Sequence, residues 1–553
     1  MQIPELDHVP TMPVVVRRAA ALFGESDFIV TPERRMTFSA LDRASRVVAG
    51  RLLATGAGKG TRVGAMYGYG PEWLVAFAAI ARIGAVYMPF STAYKPAELR
   101  RALRLGDVER LLIPPTLNGA DHTAFVEEAV PGLAGAGTAP LFLPDLPYLR
   151  SVWVTGPTDR PWARPLSLDF SAPGEPAVTA ELLEAVEAEV TPADWMITVF
   201  TSGTTATPKA VTHTHGNFLR HGVNLGRFIG FDRDTRSFCG MPFFWIGGCG
   251  LALNMALAGG STILCCEERF SPDAALDLME AEQANHIGMW AQLRQRLNQY
   301  IATTGRDTSG IPALAGPPVA DPELRHNSLG MTETVGPHSA GGPEADRVLP
   351  EEMRGSFGLL VPHVEHRIAD PASGAPLPEG QEGQVCIRGY SLMAGLYKKE
   401  RHEAFDEDGW YQTGDRGWIE DGYLYFSGRL SEMIKTAGSN VAPREVELTL
   451  ESFPEVGLAV VLGLPDADRG EIVAAAVVPT PGSDVDPGEL LRRADRELSS
   501  YKVPRRVLVL SEAELPQLAS GKADRLRLKE MLARSGVDVD LKADRNRAVA
   551  EKG

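Results

Sequence analysis

A chain of 553 residues is too long for one ordinary hydrophobic core, so two or more domains are expected. Its 44% hydrophobic and 23% charged residues are those of a soluble globular protein. A formal charge of −16 argues against a broad nucleic-acid surface, while leaving room for a local cationic pocket.

The opening "MQIPELDHVPTMP" is acidic and broken by prolines, without the basic start and apolar core of a secretory signal. Ser39 and Asp42 form an expected capping pair for a helix through Ala44, Val48 and Leu52, which Gly56 ends. "TRVGAMYG" reads as a buried strand, Pro71 opens a second helix that stops at Gly84, and "AVYMPF" is another strand. This alternation predicts a layered α/β architecture with largely parallel strands. Gly/Pro-rich segments at 131–147 and 303–322 read as loops.

The uncharged run from Gly247 to Cys266 is long enough to cross a bilayer. Its five glycines and Asn254 favour a buried helix followed by a strand. The five cysteines lack metal-ligand spacing and fit reduced thiols in a cytoplasmic protein, with Cys265 and Cys266 as core positions. After "YFSGRL" the pattern changes. "GLAVVLGLP", "EIVAAAVVP" and "RRVLVLS" are short apolar strands between charged, helix-like stretches. They predict a separate small α+β domain of about 120 residues, joined near Arg429 to Ser431. The polar residues 539–553 are expected to form a disordered tail.

The stretch "TSGTTATPKA" (201–210) combines hydroxyl side chains, a permissive glycine and Lys209. Hydroxyls and free backbone N–H groups can surround phosphate oxygens, and the lysine adds positive charge. It is not a Walker loop, and by itself it could equally be a Thr-rich turn. In "SLGMTET", Thr332 and Glu333 put a hydroxyl beside a carboxylate, a pairing that suits Mg²⁺ bound with phosphate oxygens. "WYQTGD" ends in Asp415 after a glycine, placed for two ribose hydroxyls. "GRLSEMIKTAGSNVAPREVE" and "LPQLASGKADRLRL" complete the set.

Five motifs in this order resemble the adenylate-forming (AMP-binding) superfamily, in its acyl-CoA synthetase branch, over nearly the whole chain. The resemblance implies an N-terminal domain, 1–428, that binds ATP and a carboxylic acid, a hinge at 429–431, and a cap domain, 432–538, that rotates. It implies that Thr201, Ser202, Gly203, Thr204, Thr205 and Lys209 hold the β- and γ-phosphates. Thr332 would contact the α-phosphate, Glu333 the Mg²⁺, and Asp415 with Arg429 the ribose. Lys522 would bridge the carboxylate and the α-phosphate. A cation is needed there because two anions must meet, and one such contact is worth about 4 kcal/mol before desolvation.

The chain departs from the family pattern at several places. Ala206 and Ala210 replace two loop glycines, restricting φ and close backbone approach. Leu329 replaces the aromatic residue that commonly covers adenine, Ser431 stands at the hinge, and Leu518 replaces a common Thr. The segment before "GMTE" is shorter than the family norm. None of these changes removes a charge on which the reaction depends.

Trp245 in "MPFFWIGGCG" stands where related ligases often carry His, and with Gly247 and Gly248 it would gate the acid pocket. The absence of a nearby Asp argues for a non-amino acid substrate, a fatty or bulky alicyclic acid ahead of an aryl one. The acceptor would be coenzyme A, with Lys435 and Gly438 lining its tunnel. Arg444, Lys502, Arg505 and Arg506 would meet its phosphates or form a plain basic surface. Three functions are therefore carried forward: an acyl-CoA ligase, an adenylating enzyme serving a carrier-protein thiol or separate partner, and a catalytically silent binding paralogue.

Overall fold

The computed structural model describes residues 3–201, 209–267, 270–289, 291–315, 324, 327–342, 348–436, 439–441, 443–466, 469–498, 501–518 and 522–538. The expected tail at 539–553 lies outside them. The chain forms two compact units. One comprises residues 1–366, 387–411 and 422–424; the other comprises 367–386, 412–421 and 425–553.

The first unit holds the layered α/β fold. An eight-stranded sheet runs Gly395–Leu396, Lys209–Thr214, Trp195–Thr201, Val86–Pro89, Arg62–Ala65, Arg110–Ile113, Ser151–Val154, Ala163–Pro165. Pairing is parallel from Trp195–Thr201 to the far edge. It is antiparallel across the two strands that carry Lys209 and Gly395. A second, five-stranded sheet centres on Thr262–Leu264. The helix Pro71–Arg82 is buried from Trp73 to Ala81, where its residues are apolar on every face, and its buried Arg82 is paired with Asp42 and Glu187. Proline at its first turn sets φ and needs no N–H partner there.

Two local expectations are corrected. The helix Phe38–Ala54 is capped by Thr37, whose side chain accepts from the Ala40 N–H, so Ser39 and Asp42 lie inside the helix. The run from Gly247 opens with a π-helical segment, Gly247–Leu253, before the α-helix Asn254–Gly259 and the strand Thr262–Leu264. A wide turn fits here because Gly248 and Gly250 press on neighbouring backbone. A Cβ at Gly248 would lie 2.2 Å from the Pro242 carbonyl oxygen. Among the described residues, no helix is long and apolar enough to cross a membrane. Cys265 is fully buried and Cys266 packs against the core, and burial pushes the Cys239 thiol up to about 12 and that of Cys266 up to about 11.

In the second unit, Val456–Asp466 and Gly470–Pro479 form a long antiparallel pair, and Arg506–Val509 joins in parallel. Period-two alternation splits its apolar side chains between two faces. Val461, Val473, Ala475 and Val477 meet the helices Pro443–Glu451 and Pro487–Glu497 on one face. Val460, Leu462, Ala474 and Ala476 meet Leu528 and Leu532 of Arg525–Ser535 on the other.

Candidate active site

Thr201 ends the strand Trp195–Thr201 and sits directly opposite Lys209 in the antiparallel register. Residues Ser202, Gly203, Thr204 and Thr205, with Ala206, lie outside the described residues. Thr332 and Glu333 occupy a 3-10 turn, Thr332–Thr334, between the strands Leu329–Met331 and Gly336–Ala340. The turn closes on Val335 at φ 62, a left-handed conformation that a β-branched residue rarely adopts. Such strain costs on the order of 1–3 kcal/mol and persists only where the surroundings over-determine it.

Those surroundings are visible. The Thr334 hydroxyl hydrogen-bonds to the carbonyls of Met331 and Gly336. The Met393 N–H donates to the Glu333 carbonyl at 2.8 Å. His213 Nε2 lies 2.8 Å from the Thr332 carbonyl, and Asn217 Nδ2 lies 2.9 Å from His213 Nδ1. The amide donates to Nδ1, so the ring proton sits on Nε2 and is given to Thr332. Burial pushes the His213 pKa down to about 4, keeping the ring neutral.

The Glu333 carboxylate itself is buried. Its Oε1 accepts from the Tyr411 hydroxyl at 2.8 Å and lies 3.9 Å from Lys209 Nζ. One buried carboxylate is too few ligands for a divalent cation, and the arrangement fits Mg²⁺ that takes its remaining ligands from phosphate oxygens and water. Leu329 is half-buried in its strand, and residues 316–323, before it, lie outside the described residues.

In the second unit, Asp415 and Arg429 form an ion pair, with Arg429 Nε 2.6 Å from Oδ1 of the buried carboxylate. Gly414, at φ 76, makes the bend before Asp415, and the Asp415 N–H donates to the Thr413 hydroxyl. Lys522 sits on the same group of charges. Desolvation by the surrounding protein, then Arg429, holds its ammonium pKa below the ordinary value, while Glu432 and Asp415 pull it upward.

Trp245 is half-buried, edge-on to Phe244 at 5.1 Å between centroids, and its carbonyl accepts from the N–H groups of Gly248 and Cys249. Gly247 opens the π-helical segment. Ser431 lies in the 3-10 turn Leu430–Glu432, with its side chain outside the described residues, as is Gly438. Lys435 is exposed, its N–H bonded to Glu471. Arg444 pairs with Glu447 and Glu451, Lys502 with Glu445, and Arg506 with the Ala533 carbonyl. Arg505 donates its backbone N–H to the Val473 carbonyl.

Sequence reasoning missed His213, Asn217 and Tyr411. Strand alternation from Lys209 through Val211 carried a signal for the first, since residues two apart share a face. Tyr411 stood unassigned in a motif already singled out.

Comparison with known proteins identifies the enzyme class to which the chain belongs. The AMP-binding enzyme family matches residues 16–397, and its C-terminal domain matches 445–522. A putative acyl-CoA synthetase of Bacillus subtilis is 30% identical, covering 95% of this chain and 97% of its own. An acyl-CoA ligase of Aspergillus fumigatus is 30% identical, covering 92% and 89%. Among solved structures, an amide bond synthetase from Marinactinospora thermotolerans is 26% identical with a TM-score of 0.74, covering 93% and 99%. The chain belongs to the AMP-binding enzyme family and is an AMP-forming ligase.

Proposed function

We propose that this protein is an ATP-dependent acyl-CoA ligase acting on a non-amino carboxylic acid, with a fatty or bulky alicyclic acid preferred. The observation that carries the reading is the buried Glu333 carboxylate, fixed by Tyr411 beside Lys209 on an over-determined turn. The two relatives above are named an acyl-CoA synthetase and an acyl-CoA ligase. ATP-bound structures of the same fold agree with a nucleotide substrate.

In this reading Lys209, Thr201 and the 202–205 segment receive the β- and γ-phosphates, and Thr332 the α-phosphate. Asp415 and Arg429 hold the ribose, with Leu329 against the base. Mg²⁺ on Glu333 would neutralise phosphate charge as it develops. Lys522 brings the acid oxygen to the α-phosphorus; the new P–O bond forms as pyrophosphate departs. Rotation about 429–431 then exchanges Lys522 for the 435–440 loop, and the coenzyme A thiol attacks the acyl carbonyl, losing its proton as AMP leaves. Residues 1–428 and 432–538 would be the two moving bodies.

The acid preference rests on the segment from Cys239 to Cys266, which contains no Asp, Glu, Lys or Arg. Met241, Phe243, Phe244 and Ile246 are buried beside Trp245. A charged ammonium would find no partner among these residues. A second reading, transfer of the adenylate to a carrier-protein thiol or separate partner, draws support from the amide bond synthetase of similar fold. The test is pyrophosphate release across a panel of fatty, alicyclic, aryl and amino acids, followed by addition of free coenzyme A. Release without thioester formation favours the second reading; no release with any acid rejects both and leaves the silent paralogue.

A further inference from the structure

We propose that Tyr411 is a positioning residue for Glu333, orienting its carboxylate toward the divalent cation that accompanies ATP; this rests on the metal role of Glu333 given above. Two groups contact the same oxygen, Oε1, and they differ in kind. Lys209 Nζ stands 3.9 Å away on a side chain that is 47% exposed. That is too long for a hydrogen bond and free to follow a phosphate. The Tyr411 hydroxyl stands 2.8 Å away, on a residue 6% exposed whose ring packs against Phe405.

A phenol O–H can only donate to an ionised carboxylate, so the bond is charge-assisted and directional. Tyr411 begins the strand Tyr411–Glu420, and Glu333 is tied through its own carbonyl to the Met393 N–H. Backbone and side chain of Glu333 are therefore both fixed, and the lysine remains free to serve phosphate. Partners that orient a metal ligand typically change metal affinity about 10- to 100-fold when removed.

The test uses the full-length protein with a non-hydrolysable ATP analogue, titrated with Mn²⁺ and read by electron paramagnetic resonance. Wild type, Tyr411→Phe and Glu333→Gln are compared. The expected result is about 10-fold weaker Mn²⁺ binding in Tyr411→Phe and a larger loss in Glu333→Gln. In pyrophosphate release, Tyr411→Phe should need about 10-fold more Mg²⁺ yet approach the wild-type rate at saturation. Wild-type Mn²⁺ affinity in Tyr411→Phe with weakened binding in Glu333→Gln overturns this inference and leaves the metal role of Glu333 standing. Undiminished binding in Glu333→Gln overturns both. A Tyr411→Phe rate that falls equally at every Mg²⁺ concentration shows a general structural role and also overturns the inference.

Discussion

The two units hold their key charged groups in opposite ways. Glu333 is buried on a strained turn whose backbone and carboxylate are both bonded to fixed partners. Lys522 has an exposed side chain, and its ammonium pKa is lowered first by desolvation and then by Arg429, against the opposing pull of Glu432 and Asp415. In the function proposed above, the contrast would separate two requirements of one reaction. A metal-binding carboxylate gains from preorganisation, because its geometry need not change. A lysine that arrives and leaves, as proposed for Lys522, would gain from exposure.

The strongest way to break the rigid half is to disturb the backbone it leans on. Gly248→Ala places a Cβ 2.2 Å from the Pro242 carbonyl oxygen, and the π-helical segment must shift. We expect a loss of about 1–3 kcal/mol in stability, read as a lower melting temperature, with impaired acid binding. An unchanged melting curve would show that this segment is plastic. Next, His213→Ala removes the donor to the Thr332 carbonyl and the acceptor of one Asn217 amide N–H, whose other N–H stays on the Leu392 carbonyl. A lost hydrogen bond of this kind costs about 1–2 kcal/mol, so kcat/KM for ATP should fall about 10-fold, with partial recovery in His213→Gln, whose amide can donate. Equal activity of all three forms would mean that the turn holds its shape without this contact.

The exposed half should respond to pH. In the function proposed above Lys522 serves as a cation, so adenylation is expected to decline as pH rises through its lowered pKa. Arg429 contributes to that lowering; Arg429→Gln should move the alkaline limb of pyrophosphate release to higher pH, whatever it costs in rate. Glu432 opposes the lowering, so Glu432→Gln should move the limb to lower pH. Limbs that stay in place would assign the alkaline decline to another group.

The layered architecture was legible because local signals agreed. Pro71 and Gly84 bracket a helix, and the apolar strands beside it lie in register with their neighbours. Ser39 misled because its neighbour Thr37 also caps, and spacing alone does not rank two hydroxyls. The π-helical opening at Gly247 was hidden because composition reports apolar character and not the number of residues per turn. The motifs exposed Glu333, Asp415 and Lys522, but not what holds them. Tyr411 is 78 residues from Glu333 and His213 is 119 from Thr332, distances at which only the folded chain reveals a partner.

The central claim is that Lys522 acts in the first half-reaction and leaves before the second. The most direct measurement compares Lys522→Ala with wild type in two assays: pyrophosphate release from ATP and acid, and thioester formation from a supplied acyl-adenylate and coenzyme A. The account predicts a loss of about a hundred- to a thousand-fold in the first and near wild-type rates in the second. Equal losses in both assays would contradict it.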